Sequence, residues 1–321
     1  MIVDDSESSI QAAVDMLRSG QLVAIPTETV YGLAADASCP DAVSKVFAAK
    51  GRPVDHPLIV HLGTEASLVD WAQQIPSDAY HLADLLWPGP LTMVLKRHPS
   101  VPMVVTGGLD TVALRMPTHP ITQRILKSFG GGLAAPSANR FGRVSPTSAN
   151  DVYEDLGDVV DLIVDGGPCQ IGVESTIVSF DDAEVTILRP GAISCEELSC
   201  VLGYNVHMKS HSSIRVPGMM QSHYAPKTPL ELFTQGEAVL RAAELISSGL
   251  AVGVLSLTAS DLSGAKLLLD AGGELRDFAR SLYSWLRRAD AEALDVLVVE
   301  LPPDEGLGVA IRDRLLRAAH R

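Results

Sequence analysis

The stretch Gln21-Leu-Val-Ala-Ile-Pro-Thr-Glu-Thr-Val-Tyr-Gly-Leu33 decides the fold class of this protein. Its first five residues form a short apolar run, which predicts a buried strand. Two threonines, a carboxylate and a phenol follow immediately, and α/β proteins bind ligands at the C-terminal ends of their strands. The stretch therefore predicts one strand of an α/β sheet with a polar cluster at its end. A capped turn is the alternative interpretation.

Helices and strands alternate on both sides of this stretch. Apolar residues at helical spacing predict a helix over Ser6–Gly20, and a second helix is predicted over Asp41–Lys50, ending at Gly51. Short apolar or β-branched runs predict further strands at Leu58–Leu62, Leu91–Lys96, Thr111–Arg115, Leu133–Ala135, Leu162–Val164 and Ser175–Ser179. The alternation indicates a mixed α/β domain over residues 1–203.

A second, smaller domain is predicted after residue 228. Between residues 204 and 228 the periodicity fails and Ser, His, Gly, Met and Pro dominate, which is typical of a linker. The alternation then restarts, with strands predicted at Leu230–Phe233, Ala251–Leu257 and Val296–Leu301, and helices at Glu237–Ser247, Glu274–Arg288 and Val309–Ala319. We expect residues 229–321 to form a small open sheet flanked by helices.

The charge and hydropathy of the chain exclude several protein classes. The 321 residues include 25 Lys+Arg and 39 Asp+Glu, which gives a net charge of −14. An anionic ligand must therefore meet a local cluster of cations, and stable direct binding of RNA is not expected. No apolar run approaches the roughly 20 residues that cross a bilayer, and the N-terminus does not resemble a signal peptide. We expect a cytoplasmic protein without a membrane anchor.

Several common site motifs are missing. The four cysteines form no Cys-x-x-Cys pair and are expected to be reduced thiols. His207 and His211 lie four residues apart, but no Glu follows the first, so the pair does not favour a zinc site. Neither a Gly-Lys dipeptide nor a Gly-x-Gly-x-x-Gly turn occurs. A nucleotide would therefore have to bind without a Walker A loop or a Rossmann turn.

The first cationic segment lies at the end of the second predicted helix. Lys50 and Arg52 flank Gly51, and the planar guanidinium of Arg52 suits a phosphate group. Cations at a helix C-terminus are also stabilised by the helix dipole, which is the structural alternative. In the strand that follows, His61 lies on the face opposite Val60, so it is not predicted to be a simple core residue.

A second cation lies on the strand Thr111–Arg115. Period-two alternation places Thr111 and Arg115 on one face, about 13 Å apart along the strand. That distance suits the two ends of an extended ligand, and an exposed strand face is the alternative.

Small and hydroxyl-bearing residues form a further group of polar segments: Ala134–Arg140, Ser145–Thr147, Gly172–Thr176 and Leu188–Gly191. Such segments expose backbone N–H groups that can bind oxyanions. Together with Lys50, Arg52, Arg115 and Arg189, they supply the local cluster of cations and hydroxyls that an anionic substrate requires.

These segments, taken in order, resemble the YrdC-like domain of the threonylcarbamoyl-AMP synthases over about residues 8–203. The matching motifs are Pro26–Leu33, Lys50–Pro53, Pro57–His61, Trp87–Thr92, Leu109–Val112 with Arg115–Pro117, Ala135–Asn139, Gly172–Thr176 and Leu188–Gly191. Residues 217–226 resemble the linker of the two-domain members, and the remainder is similar in length and pattern to their C-terminal domain.

The resemblance implies a fold and a reaction. The fold is an αβ-twist domain with a mixed sheet around a basic cavity, followed by a linker that caps the site and a small Rossmann-like α/β domain. The reaction converts L-threonine, bicarbonate and ATP, with Mg²⁺, into threonylcarbamoyl-AMP and pyrophosphate. The product is passed to the machinery that modifies adenosine 37 of tRNA. The alternatives are another carbamoyl-adenylating enzyme on the same fold, and an RNA-binding module.

The resemblance also implies roles for residues that match the family motifs. The threonine site would comprise Thr29, His61, Arg115, Ala135 and Ser175. The ATP site would comprise Arg52, His56, Thr111, Ser137, Ser145, Arg189 and Tyr224, with Lys50 and Arg52 as catalytic residues. His56 stands where some relatives have Asn, and both side chains can donate a hydrogen bond. The ligands of Mg²⁺ are not identified by the resemblance.

Overall fold

The chain folds into two compact units. The computed structural model describes residues 1–181, 184–209, 214–219, 224–234, 236–258 and 262–320. The first unit comprises Met1–Phe141, Ser145–Gln170 and Glu174–Met219; the second comprises Gly142–Val144, Ile171–Val173 and Met220–Arg321.

The first unit is built on a mixed sheet with helices on its faces. Its helices are α1 Glu7–Arg18, α2 Pro40–Lys50, α3 Ser77–Leu86, α4 Pro120–Phe129, α5 Ala149–Leu156 and α6 Cys195–Leu202. Its strands are β1 Ile2–Val3, β2 Val23–Ile25, β3 Gly32–Asp36, β4 Ile59–His61, β5 Leu91–Lys96, β6 Thr111–Arg115, β7 Leu133–Ala134, β8 Leu162–Val164, β9 Thr176–Asp181, β10 Glu184–Arg189 and β11 His207–Met208. The strand order is β1-β8-β2-β3-β7-β4-β6-β5-β9-β10-β11.

Local sequence signals explain the first two helices. The Ser6 side chain caps α1 by accepting a hydrogen bond from the Ser9 N–H. The apolar stripe that predicted α1 is buried, at Ile10, Ala13, Val14 and Leu17. Helix α2 ends at Gly51, whose φ of 63° lies in the left-handed region that glycine adopts without a Cβ penalty. Both predicted helices are therefore confirmed.

The register of the central strands brings distant polar residues side by side. Strands β4 and β6 are parallel and pair His61 with Arg115. Strands β5 and β6 are antiparallel and pair Thr92 with the same arginine. Directly paired residues share one face of a sheet, so the three side chains form a row across three strands.

The described residues of the second unit include a parallel sheet of four strands. Its strands are β12 Leu230–Phe233, β13 Val252–Ser256, β14 Leu267–Asp270 and β15 Val296–Glu300, in the order β12-β15-β13-β14. Its helices are α7 Glu237–Ser247, α8 Leu275–Ala291 and α9 Leu307–Ala319. One face of the sheet packs on α7, where Val252, Val254, Val296 and Val298 join Ala238 and Ala242 in an apolar cluster. The expected mixed α/β fold with a second, small α/β sheet is confirmed.

The structure also reports on the cysteine and histidine predictions. All four cysteines lie unpaired in the structure. His207 lies exposed on β11, and His211 lies outside the described residues. Within the described ranges, no group of three or more His, Cys, Asp or Glu side chains is arranged to hold a metal ion. None of the helices described there is both long and apolar enough to span a bilayer.

Candidate functional site

A row of buried polar side chains lies across the sheet of the first unit. His61 and Arg115 are each 3% exposed, and Thr92 is fully buried between them and β9. Ser175 directly precedes β9, and its hydroxyl lies 2.7 Å from the hydroxyl of Thr92. Polar groups buried in such numbers cost free energy unless they are satisfied, so their concentration marks a candidate site.

Arg115 forms a buried ion pair with Glu28 in this row. The guanidinium Nη2 donates to Glu28 Oε1 at 2.6 Å, and the two side chains are 4% and 5% exposed. The other carboxylate oxygen accepts a hydrogen bond from the backbone N–H of Thr118 at 3.1 Å. Arg115 Nε is buried and has no hydrogen-bond partner among the described residues. A desolvated donor of this kind is suited to a ligand carboxylate.

The turn that carries Glu28 is fixed by hydrogen bonds of neighbouring hydroxyls. Thr27 Oγ1 donates to the carbonyl of Val30 at 2.6 Å and accepts from the Val30 N–H at 3.2 Å. The hydroxyl of Thr29 lies 2.9 Å from that of Thr27, and Thr122 donates to the carbonyl of Pro26. These bonds hold Thr29 and Glu28 in one conformation, because the loop backbone has partners on both sides.

Neutral groups surround the ion pair. Burial, with a contribution from the charge of Arg115, lowers the pKa of His61 to about 3, so His61 is neutral near pH 7. Its Nδ1 is buried and has no partner within the described part of the chain. Burial raises the pKa of the Cys169 thiol and lowers the pKa of His119. These three side chains therefore add no charge beside Arg115 and Glu28.

Ala135, the remaining residue expected at the threonine site, is 4% exposed and belongs to an apolar core cluster. Its N–H donates to the carbonyl of Ile59 in β4 at 3.0 Å, which fixes it beside the strand that carries His61. Its role as a wall of the threonine pocket remains a prediction.

Arg189 contacts Ser175 in this structure. Its Nη2 donates to the carbonyl oxygen of Ser175 at 2.8 Å and to the Ser175 hydroxyl at 3.1 Å. Gly191 allows this packing, since a Cβ at Gly191 would lie 2.4 Å from the carbonyl carbon of Ser175. Arg189 therefore links two sets of expected residues, those for ATP and those for threonine, and its contact with ATP remains a prediction.

Lys50 holds the turn that contains Ser137. Its Nζ donates to the carbonyl oxygens of Ser137 and Asn139, both at 2.5 Å, and the residue is 3% exposed. Burial, with a further contribution from Arg52, holds the pKa of the amine well below its ordinary value. The structure thus gives Lys50 a role in shaping the segment that is expected to bind ATP, and the catalytic role remains a prediction.

Arg52 and His56 gather around one aromatic ring. The guanidinium carbon of Arg52 lies 5.6 Å from the ring centroid of Phe141, and the His56 ring packs edge-on against it at 5.5 Å. Arg52 Nη2 also donates to the carbonyl of Pro57 at 2.9 Å. Burial, with the nearby charge of Arg52, lowers the pKa of His56. This cluster is suited to a base and its phosphates, because it combines an aromatic face with a fixed cation.

The other expected ATP ligands lie in different parts of the fold. Thr111 begins β6, on the strand that ends at Arg115. The hydroxyl of Ser145 donates to Glu174 Oε1 at 2.7 Å. Tyr224 belongs to the second unit, where its ring stacks on Tyr283 at 5.6 Å and it is 1% exposed. The residues around Tyr224 at positions 220–223 lie outside the described part of the chain.

Sequence reasoning missed Thr92 and Phe141, and it placed Glu28 in a polar cluster without its pairing to Arg115. Thr92 lies inside a motif that was matched to the family, and that position was the available signal. Phe141 directly follows Arg140 and had no signal of its own. Its contact with Arg52 depends on the fold, because the Phe141 N–H pairs with the carbonyl of Lys50.

Comparisons with known proteins cover nearly the whole chain. A family model described as "Telomere recombination" matches residues 15–191, and one described as "Threonylcarbamoyl-AMP synthase, C-terminal domain" matches residues 193–320. Threonylcarbamoyl-AMP synthase of Pyrococcus abyssi is 41% identical, over 98% of this chain and 94% of its own length. The Bacillus subtilis protein of the same name is 40% identical with the same coverage.

A solved structure agrees with the sequence comparisons. The crystal structure of P. abyssi Sua5 in complex with L-threonine matches with a TM-score of 0.92 and 40% identity. The match covers 99% of this chain and 97% of the other. The sequence motifs, the two-unit architecture and the full-length similarity together place this chain in the threonylcarbamoyl-AMP synthase family, as a member of the two-domain form.

Proposed function

We propose that this chain forms threonylcarbamoyl-AMP and pyrophosphate from L-threonine, bicarbonate and ATP. Family membership supports the reaction class, which is transfer of the AMP group of ATP. The observation that carries the proposal in this structure is the buried guanidinium of Arg115, whose Nε lacks a partner among the described residues. An amino-acid carboxylate would supply that partner.

The reaction needs no protein nucleophile. The amine of threonine and bicarbonate give a carbamate and water, and a carbamate oxygen then attacks the α-phosphorus of ATP. The new bond joins that oxygen to phosphorus, and the bond to the leaving pyrophosphate breaks. Positioning of the reactants and stabilisation of charge can supply most of the rate enhancement.

The residues of the first unit fit these tasks. Arg115 would bind the threonine carboxylate, and Ser175 and Thr29 would offer hydroxyls beside it. His61 is neutral near pH 7, so it can exchange a hydrogen bond with threonine without adding a second positive charge. Arg52 would neutralise phosphate charge, and the ring of Phe141 lies beside it.

Three parts of the proposal rest on the resemblance. Mg²⁺ would enter as the complex with ATP, whose phosphate oxygens supply ligands, as is usual for this ion. The product would be passed to the enzymes that modify adenosine 37 of tRNA in the cytoplasm. The linker over residues 204–228 would cap the site, with Tyr224 contacting ATP. Residues 210–213 and 220–223 of this segment lie outside the described residues.

Amino-acid dependence of pyrophosphate release tests the function. The full chain would be mixed with ATP, Mg²⁺, bicarbonate and each common amino acid in turn. We expect release with threonine and little with serine, since one methyl group in a pocket is worth about 1–3 kcal/mol. Equal rates with serine and threonine would contradict a threonine-shaped pocket. Release with a different amino acid alone would favour another carbamoyl-adenylating activity.

A further inference from the structure

Glu28 is the partner of Arg115, and no substrate contact has been assigned to it. It is 4% exposed, and both of its carboxylate oxygens are engaged. One accepts from Arg115 Nη2 at 2.6 Å and the other from the N–H of Thr118 at 3.1 Å. Glu28 therefore ties the side chain of Arg115 to the backbone three residues further along the same segment.

We propose that Glu28 is a positioning residue for amino-acid recognition, which holds the guanidinium of Arg115 by Nη2 and leaves Nε–H available for the substrate carboxylate. The inference rests on the proposed function, because it takes threonine as the ligand of Arg115. Glu28 itself does not touch the substrate in this arrangement.

The geometry separates this role from that of an ordinary structural ion pair. A carboxylate that only neutralised Arg115 could bind the guanidinium by two parallel bonds, which is the common bidentate arrangement. Here one carboxylate oxygen is occupied by the N–H of Thr118, and the guanidinium keeps a buried donor without a partner among the described residues. Glu28 thus constrains the orientation of Arg115 without occupying all of its donors.

The surrounding turn makes Glu28 a rigid support. Thr122 donates to the carbonyl of Pro26, and Thr27 bonds the carbonyl and N–H of Val30, so backbone contacts lie on both sides of Glu28. An arginine side chain loses considerable rotamer freedom when it is ordered. Because Glu28 orders the guanidinium before the ligand arrives, binding of the carboxylate need not meet that cost.

The ion pair also limits the charge that Arg115 presents to the substrate. Arg115 and Glu28 cancel as a pair, and His61 beside them is neutral near pH 7. Recognition of the carboxylate then depends on a directed hydrogen bond more than on net charge. A displaced guanidinium would keep its charge but lose that direction.

The test compares threonine with threonine amide, which lacks the carboxylate charge. For the unaltered full chain and for its Glu28→Gln variant, kcat/KM is measured by pyrophosphate release with MgATP and bicarbonate. The value for threonine is then divided by the value for threonine amide to give a ratio for each protein. We expect Glu28→Gln to lower this ratio about tenfold or more, because a charge-assisted bond is misdirected. The different amine chemistry of the amide affects both proteins equally and cancels between them.

A second variant guards against loss of the fold. Glu28→Asp keeps the charge but shortens the side chain by one methylene, so the guanidinium is held in a shifted position. We expect the ratio to fall with Glu28→Asp as well, while ATP affinity and the urea unfolding midpoint remain close to the unaltered values. The matched control is Glu65→Gln, which alters a carboxylate that is 66% exposed and paired with Lys127 in the same unit. Its ratio should not change.

The outcomes distinguish the two proposals. A parallel loss with both amino-acid substrates, leaving the ratio unchanged in both Glu28 variants, would show a merely structural role and overturn the inference. An unaltered protein that releases no pyrophosphate with threonine would instead overturn the proposed function. A lower ratio in both variants, with the control unchanged, supports Glu28 as a positioning residue.

Discussion

Lowering the pH should destabilise the first unit through His61. Burial lowers the pKa of His61 from 6.5 to about 3 in the folded protein. The unfolded chain takes up this proton near pH 6.5, whereas the folded protein takes it up only near pH 3. Between these values the unfolded state binds more protons, so the free energy of unfolding falls as the pH falls. The contribution is fully present above pH 6.5.

The size of the effect follows from the two pKa values. Each pH unit between the two pKa values changes the free energy of unfolding by about 1.4 kcal/mol. The change is smaller near pH 6.5, where the unfolded chain is only partly protonated. Between pH 7 and pH 5 the linkage gives a loss of about 2 kcal/mol for this residue. The variant His61→Gln keeps a polar side chain of similar size but cannot titrate, so it should lack this loss.

Urea unfolding at pH 7, 6 and 5 provides the assay. Two of the three tryptophans, Trp71 and Trp87, lie in the first unit and report its unfolding by fluorescence. The quantity compared is the change in unfolding free energy between pH values, obtained from the midpoint and slope. His56 and His119 also have lowered pKa values, but both are present in each protein and their contributions cancel.

The result that would refute the reasoning is a parallel pH dependence. If the unaltered protein and His61→Gln lose the same free energy between pH 7 and pH 5, His61 titrates normally in the folded state. Its burial beside Arg115 would then not disfavour the charged form. The comparison uses slopes against pH, so a constant difference in stability between the two proteins does not affect the conclusion.

Three further predictions concern the charges and the close packing of the site. Lys50→Met should lower the unfolding free energy by about 1–3 kcal/mol in urea titrations, because it leaves two buried carbonyl oxygens without their donor. The exposed Lys45→Met should change it by less than about 1 kcal/mol, and equal effects would contradict the role of Lys50. In calorimetry, Arg52→Ala should bind ATP about ten- to a hundredfold more weakly but still bind threonine. Arg115→Ala should lose threonine binding and still bind ATP. Unchanged binding of both ligands in both variants would show that these arginines are structural. Gly191→Ala should raise the KM for threonine and lower the unfolding free energy by about 1–3 kcal/mol, because the added Cβ would lie 2.3–2.5 Å from the backbone around Ser175. An unchanged KM would show that Ser175 does not move or does not bind threonine.

The sequence determined the local elements where short-range signals agree. Helix α1 is found where its apolar spacing predicted it, and the predicted bounds of strands Leu91–Lys96 and Thr111–Arg115 match those observed. These signals act within one helical turn or one strand, so they can be interpreted without knowledge of the partners. The order of the motifs likewise identified the family.

The missing strands show where local signals end. Strand β3, Gly32–Asp36, is rich in Gly and Ala, which have low strand propensity, and it forms because it pairs with β2 and β7. Strand β14, Leu267–Asp270, is a short leucine run that does not distinguish strand from helix. Its parallel pairing with β13 makes it a strand, and that pairing exists only in the assembled sheet.

The tertiary structure alone decided how the site residues are connected. The motifs supplied His61, Arg115 and Ser175, but the register of β4, β5 and β6 sets the first two in one row with Thr92. Ser175 joins this row through the contact of its hydroxyl with that of Thr92. The pair of Arg115 with Glu28 joins residues 87 positions apart, and no spacing rule relates them. Composition and periodicity describe which groups are present and how they are spaced, because both are properties of the linear sequence. Which donors remain unoccupied depends on burial and on strand pairing, which exist only in the folded protein.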